Sequence, residues 1–271
     1  MNQIVASVSP QAKPHPSLAE VKAPLKFIRR QDAEPAFRSV PISDMREIAE
    51  TLSVDKEGFE LLHHSTAVGD LYDDIAIEKT YVPEIEALLR RRFGASQVVI
   101  FDVTRRSAGG EGKRNHNGLP GPATQLHVDY TAKSGPQRVK DILGEDEAAR
   151  LTASGARVIQ INVWRPIRGP VERSPLVFAD ASSVQPEDLI ATDIKRPDRV
   201  GQVYNLAHAP SQRWYYAPQM TRDEVLLIKG WDSLEDGRAR FTPHSAVELP
   251  ETRSDAAPRE SIEVRTLVIV D

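Results

Sequence analysis

The chain has 271 residues, a formal net charge of −4 and a pI near 6.0, so it lacks the basic excess that marks most nucleic-acid binders. Its 40% hydrophobic and 27% charged residues are those of a soluble globular protein, long enough for one large domain. It contains no cysteine, which excludes disulfides, thiolate zinc sites, iron–sulfur clusters and cysteine nucleophiles. Any metal must therefore sit among histidine, carboxylate and water.

Residues 1–22 are rich in Pro, Ser and Ala without a sustained period and are expected to form a mobile arm. They lack the apolar core of a signal peptide, and no apolar run of about 18 residues occurs anywhere, so the expected location is cytoplasmic, away from any membrane. Residues 23–271 are expected to form a single domain, mixed to about residue 95 and β-rich from about 96 onward. LKFIRR (25–30) reads as a strand and SDMREIAETL (43–52) as a helix opened by a Ser/Asp cap. From Glu78 to Phe93 the apolar residues Tyr81, Val82, Ile85, Leu88, Leu89 and Phe93 recur at helical spacing, with Gly94 as the stop.

Strands then dominate. QVVIFDV (97–103) is β-branched and aromatic, and the glycine-rich 105–122 segment that follows reads as a functional loop above the site. Its GGEGKR lacks the spacing of a phosphate-binding loop. DILGEDEAARLT (141–152) is a short helix candidate. In RVIQINVWRPI (157–167), Ile159, Ile161 and Val163 form an apolar face and Gln160, Asn162 and Trp164 a partly polar one, as expected for a barrel strand bordering a chamber. PLVFAD (175–180), RVGQVYNLA (199–207), RWYYAP (213–218), EVLLIKGWDS (224–233) and SIEVRTLVIV supply further strands. The pattern predicts a mainly β fold with flanking helices, a jelly-roll-like β-helix.

Chemistry concentrates at three places. His127 and Asp129 in QLHVDY point to one face of an extended strand and can grip one ion. His244 in FTPHSA can complete a two-His-one-carboxylate triad, the arrangement suited to Fe(II) with open positions for O2 and a co-substrate. Arg259 and Ser261 in PRESIEVR offer a cation and a hydroxyl to a carboxylate. With 7 His and 39 acidic residues, a lone His-x-acid tripeptide arises about once by chance, so the order and context of the three motifs carry the argument.

INVWRPI, PLVFAD, RWYYAPQMTRDEVLLIKGWDS, FTPHSA and PRESIEVR resemble the bacterial and fungal oxygenase family that includes the cephem 7α-hydroxylase component and AsaB-type hydroxylase/desaturases. The resemblance spans roughly residues 95–271, with a weaker echo in DKEGFELLHHSTAV (55–68). It implies a double-stranded β-helix (jelly roll, cupin-like), with Fe(II), 2-oxoglutarate and O2 used to hydroxylate or desaturate a small specialised metabolite. It makes His127, Asp129 and His244 the metal ligands and Arg259 with Ser261 the 2-oxoglutarate anchor, with Arg253 and Arg265 as competing arginines. Because Asp129 fills the third ligand position, no halide enters there and halogenation is excluded.

Asn162, Trp164, Arg165, Trp214 and Tyr216 are the candidate substrate contacts, the aromatic ones doubling as core or barrel wall. His63, His64, His116 and His208 read as surface or structural histidines, and Asp232 as a candidate partner for a metal-bound histidine. The oligomeric state is not legible. Two rival readings share the barrel: a cupin-like metal enzyme that uses no 2-oxoglutarate, and a non-catalytic metal- or ligand-binding barrel.

Overall fold

A computed structural model describes residues 19–109, 118–195 and 200–271. Residues 1–18 of the expected arm, His116 and the middle of the 105–122 loop lie outside the described residues, whereas Glu20, Val21 and Lys22, also counted in the arm, are paired in the first strand. The strands in chain order are β1 (Glu20–Ile28), β2 (Pro35–Asp44), β3 (Phe59–His63), β4 (Gln97–Ser107), β5 (His127–Val128), β6 (Arg157–Pro166) and β7 (Leu176–Ala179). They continue with β8 (Leu189–Lys195), β9 (Val200–Leu206), β10 (Trp214–Tyr216), β11 (Glu224–Asp232), β12 (His244–Ala246) and β13 (Glu260–Val270). Eight strands form one sheet in the order β1-β2-β10-β7-β12-β5-β9-β8, and five form a second in the order β3-β11-β6-β13-β4. The two sheets face each other as a double-stranded β-helix.

The helices depart from the sequence expectation in three places. The Glu78–Phe93 helix starts earlier: Asp73 caps a turn α1 (Asp74–Ala76), a π-helical turn spans Ile77–Tyr81, and α2 (Val82–Phe93) ends at Gly94 with φ 63°. The 141–152 candidate is two helices, α3 (Ser134–Leu143) and α4 (Glu145–Ser154), divided at Gly144. The expected 43–52 helix is one short 3-10 stretch, Arg46–Thr51, because Ser43 and Asp44 are spent in β2. Between them, β1, β2 and β3 extend both sheets: β2 runs parallel to β10 and β3 antiparallel to β11.

Alternation along each strand sorts the core. Ile159, Ile161 and Val163 pack outward with Val264 and Val268 of β13 against Ile85, Leu88 and Leu89 of α2. Inward-facing Trp164, Phe59, Leu226 and Ile228 of the small sheet meet Phe178 and Tyr215 of the large one, and Phe59 stacks on Phe178 at 4.9 Å. The outer face of the large sheet is covered by the β1–β2 hairpin, with Ala23, Leu25 and Phe27 on Val177, Ala179 and Trp214. Among the described residues no helix is long and apolar enough to cross a membrane.

This alternation corrects three expectations. Arg165 shares the parity of Ile159, Ile161 and Val163, so it lies on the back of β6 and not in the chamber. There its Nε donates to Tyr81 Oη (2.9 Å), its Nη1 to the Arg222 carbonyl (2.5 Å) and its Nη2 to His64 Nδ1 (2.6 Å). Burial, then the Arg165 charge, pushes His64 below its ordinary range, consistent with a neutral acceptor. Trp214 lies edge-on to Phe27 at 5.6 Å beneath the hairpin, and Tyr216 packs on the same outer cluster, so Tyr215 is the aromatic of β10 that faces inward. Arg165→Met is expected to lower stability, by about 1–3 kcal/mol for each buried partner left unpaired. Urea denaturation checks this, and a folded variant is expected to keep the wild-type ratio of succinate to oxidised product.

Candidate active site

His127 on β5 and His244 on β12 are direct partners across antiparallel strands near the middle of the large sheet, with ring centroids 4.7 Å apart. Each imidazole is oriented from behind by a backbone carbonyl two residues upstream. His127 Nδ1 bonds to Gln125 O at 2.8 Å and His244 Nδ1 to Thr242 O at 3.0 Å. With Nδ1 donating, each Nε2 keeps a lone pair directed into the chamber, the tautomer a metal ligand needs. Thr242 is itself seated by Gly58, whose carbonyl accepts from Thr242 Oγ1 at 2.8 Å. Gly58 has φ +92°, and a Cβ there would lie 2.2 Å from that hydroxyl, so the seat requires glycine.

Asp129 follows immediately after β5. One candidate ligand atom from each of His127, Asp129 and His244 lies within 4.8 Å of the others, compact enough for one ion. His127 Nε2 is 3.6 Å from Asp129 Oδ1, while Asp129 Oδ2 accepts from Asn162 Nδ2 at 2.5 Å. Burial raises the Asp129 carboxyl, but the Arg265 charge and the two histidines outweigh it and hold it well below the usual range. Burial lowers His127, yet the Asp129 contact and charge raise it on balance; His244 is lowered by burial and then by the His127 charge.

Three arginines compete as an anion anchor, and their partners separate them. Arg253 is 67% exposed and paired with Glu172 and Asp255, outside the chamber. Arg265 faces Asn162 in register and is held by Glu263 at 2.8 Å and Asp102 at 3.7 Å. Arg259 is 2% exposed, donates Nη1 to Ser174 O at 2.7 Å and stacks over Trp164 with 5.5 Å to the ring centroid. No carboxylate among the described residues lies within ion-pair distance of it, and its Nε is buried without a partner. Burial, then the neighbouring Arg106, pulls this guanidinium down to about 10. A buried cation with an unused donor suits an anionic ligand such as a carboxylate, and the paired imidazoles suit a divalent metal. Ser261, on β13 beside Arg106 of β4, is buried two residues further on.

Other assignments resolve differently. Among the described residues Asp232 orients no histidine; it is fully buried against Lys229 and Arg157, which also engage Asp55. Asn162 and Trp164 do face inward, Asn162 with its amide turned to Asp129. Sequence reasoning passed over Arg106 and the supports Gln125, Thr242 and Gly58. Only strand register could have pointed to Arg106, and backbone supports leave no side-chain signal.

A family model described as an oxidoreductase/YMDC permease-like domain matches residues 7–269. The alpha-ketoglutarate-dependent dioxygenase phiK of Fungal sp. is 33% identical over 241 residues, covering 86% of this chain and 84% of its own. The hydroxylase/desaturase efuI of Hormonema carpetanum is 32% identical over 250 residues, covering 84% and 82%. The solved structure of the iron and alpha-ketoglutarate-dependent endoperoxidase NvfI superposes with a TM-score of 0.77 at 27% identity, over 94% of this chain and 98% of that one. With the clustered triad and the unpaired buried arginine, these likenesses place the chain in the oxidoreductase family of Fe(II)- and 2-oxoglutarate-dependent dioxygenases, to which it belongs.

Proposed function

We propose that His127, Asp129 and His244 hold the Fe(II), that Arg259 and Ser261 hold the distal carboxylate of 2-oxoglutarate, and that the chamber hydroxylates or desaturates a compact, partly apolar metabolite. The observation that carries this reading is the convergence of three ligand atoms within 4.8 Å in a chamber that also holds a buried guanidinium with no acid of its own. When bound, iron with 2-oxoglutarate and O2 supplies oxidative decarboxylation to succinate and CO2, coupled to oxidation of a substrate C–H bond. Hydroxylation places the second oxygen atom of O2 on the substrate; desaturation removes two hydrogens and releases that atom as water.

The chain's own residues supply geometry and exclusion of water. The carbonyls of Gln125 and Thr242 fix the two imidazoles, Arg265 balances the Asp129 charge, and Trp164 with Phe178 and Tyr215 forms the apolar wall. Trp164 stacked on Arg259 borders both the co-substrate pocket and the substrate space, which makes it the leading substrate contact. The names of phiK and efuI support a small-molecule substrate. The likeness to NvfI favours endoperoxide formation as a second outcome on the same site.

His127→Ala, Asp129→Ala and His244→Ala are each expected to abolish 2-oxoglutarate turnover while the circular dichroism spectrum stays that of the folded protein. A variant that kept near-wild-type succinate formation would remove its residue from the ligand set.

Arg259→Ala is expected to weaken 2-oxoglutarate binding by ~2–5 kcal/mol, roughly thirtyfold to several-thousandfold, the cost of deleting one partner of a buried charge pair. Ser261→Ala is expected to cost about 0.5–1.5 kcal/mol, and Arg253→Ala nothing measurable. Titrating 2-oxoglutarate into each metal-loaded variant separates them; a large loss in Arg253→Ala with none in Arg259→Ala would move the anchor.

A further inference from the structure

The two oxygens of Asp129 have different surroundings. Oδ1 is the one beside His127 Nε2, and Oδ2 is engaged by Asn162 Nδ2 at 2.5 Å. A carboxylate can only accept, so Asn162 must present its NH2 group to Asp129 and leave its carbonyl as an acceptor. That carbonyl is taken by Gln160 Nε2, so the orientation of each amide fixes the next. Gln160 and Asn162 are both buried and stand two apart on the inner face of β6, which makes a single file of Gln160, Asn162 and Asp129 crossing from the small sheet to the large one. Gly230 on the neighbouring β11 is part of this arrangement: a Cβ there would fall 1.7 Å from Gln160 Oε1.

We propose that Asn162 is a positioning residue that holds Asp129 as a one-oxygen ligand, with Gln160 setting the direction of its amide. The proposal rests on the metal assignment made above. A carboxylate free to rotate can offer both oxygens to a cation, and both modes are common for Asp. With two histidines already bound, a second carboxylate oxygen would leave two positions where a chelating co-substrate and O2 need three. By occupying Oδ2, Asn162 keeps Oδ1 alone directed at the metal. Buried polar partners of metal ligands act in this way in general, and losing one typically costs 10–100-fold in metal affinity or activity.

The test compares the full-length protein with Asn162→Leu, Asn162→Ala and Gln160→Leu. Calorimetric titration with Mn(II), followed by 2-oxoglutarate, reads binding without turnover, and Co(II) visible absorption reads coordination number. Asn162→Leu is expected to weaken Mn(II) by about 10–100-fold, to weaken 2-oxoglutarate binding to the loaded protein, and to shift the Co(II) spectrum. Gln160→Leu is expected to shift all three the same way by less. Mn(II) and 2-oxoglutarate affinities within twofold of wild type, with an unchanged Co(II) spectrum, in folded Asn162→Leu would overturn the role. If that variant does not fold, Asn162→Ala is judged by the same criteria, and unchanged binding in Gln160→Leu counts against the relay. Failure of the unaltered protein to bind Mn(II) would remove the metal assignment and this role together, whereas unchanged affinity in the Asn162 variants removes this role alone.

Discussion

The pairing of β5 with β12 places His127 opposite His244 on adjacent antiparallel strands, and the site is built out from that register. A one-residue slip would turn one imidazole to the far face of the sheet. The register is secured by neighbours, since β5 has two residues and β12 three: β7 holds β12 on one side and β9 holds β5 on the other. The carbonyls of Gln125 and Thr242 then set ring orientation. Gly58, from the loop before β3, seats Thr242, so a loop early in the chain constrains a histidine late in it.

Among the described residues, Arg259 in the chamber has no acid within ion-pair distance. Asp129 is balanced by Arg265, which Glu263 and Asp102 also hold, while Arg259 has, among the described residues, the Ser174 carbonyl and the Trp164 face. Burying an unpaired guanidinium is costly, and here the neighbouring Arg106 adds to the cost. An enzyme that binds a dicarboxylate offsets that cost in the bound state. Arg165 is the instructive contrast: it is equally buried, but its three directions are filled by neutral acceptors, which leaves it a structural role.

Much of this was legible in the sequence because strand alternation is strict. The two faces of β6 follow the pattern of Ile159, Ile161 and Val163 against Gln160, Asn162 and Trp164, and the same rule carried one residue further assigns Arg165 to the back. Trp214 and Tyr216 were harder, since in a three-residue strand flanked by turns no period reveals which face is inside. The sequence reading selected His127, Asp129 and His244, and the fold brings them together. It did not reveal that the Asn162 amide turns to Asp129, because that contact joins residues of two sheets and depends on how closely the sheets approach.

The most direct measurement is the anaerobic visible absorption of the protein on addition of Fe(II) and then 2-oxoglutarate. A charge-transfer band is expected only when both are present, as when the co-substrate chelates a metal held by three protein ligands. Fe(II) binding with no band on addition of 2-oxoglutarate would contradict chelation of 2-oxoglutarate at this site and favour a cupin-like metal enzyme of different chemistry.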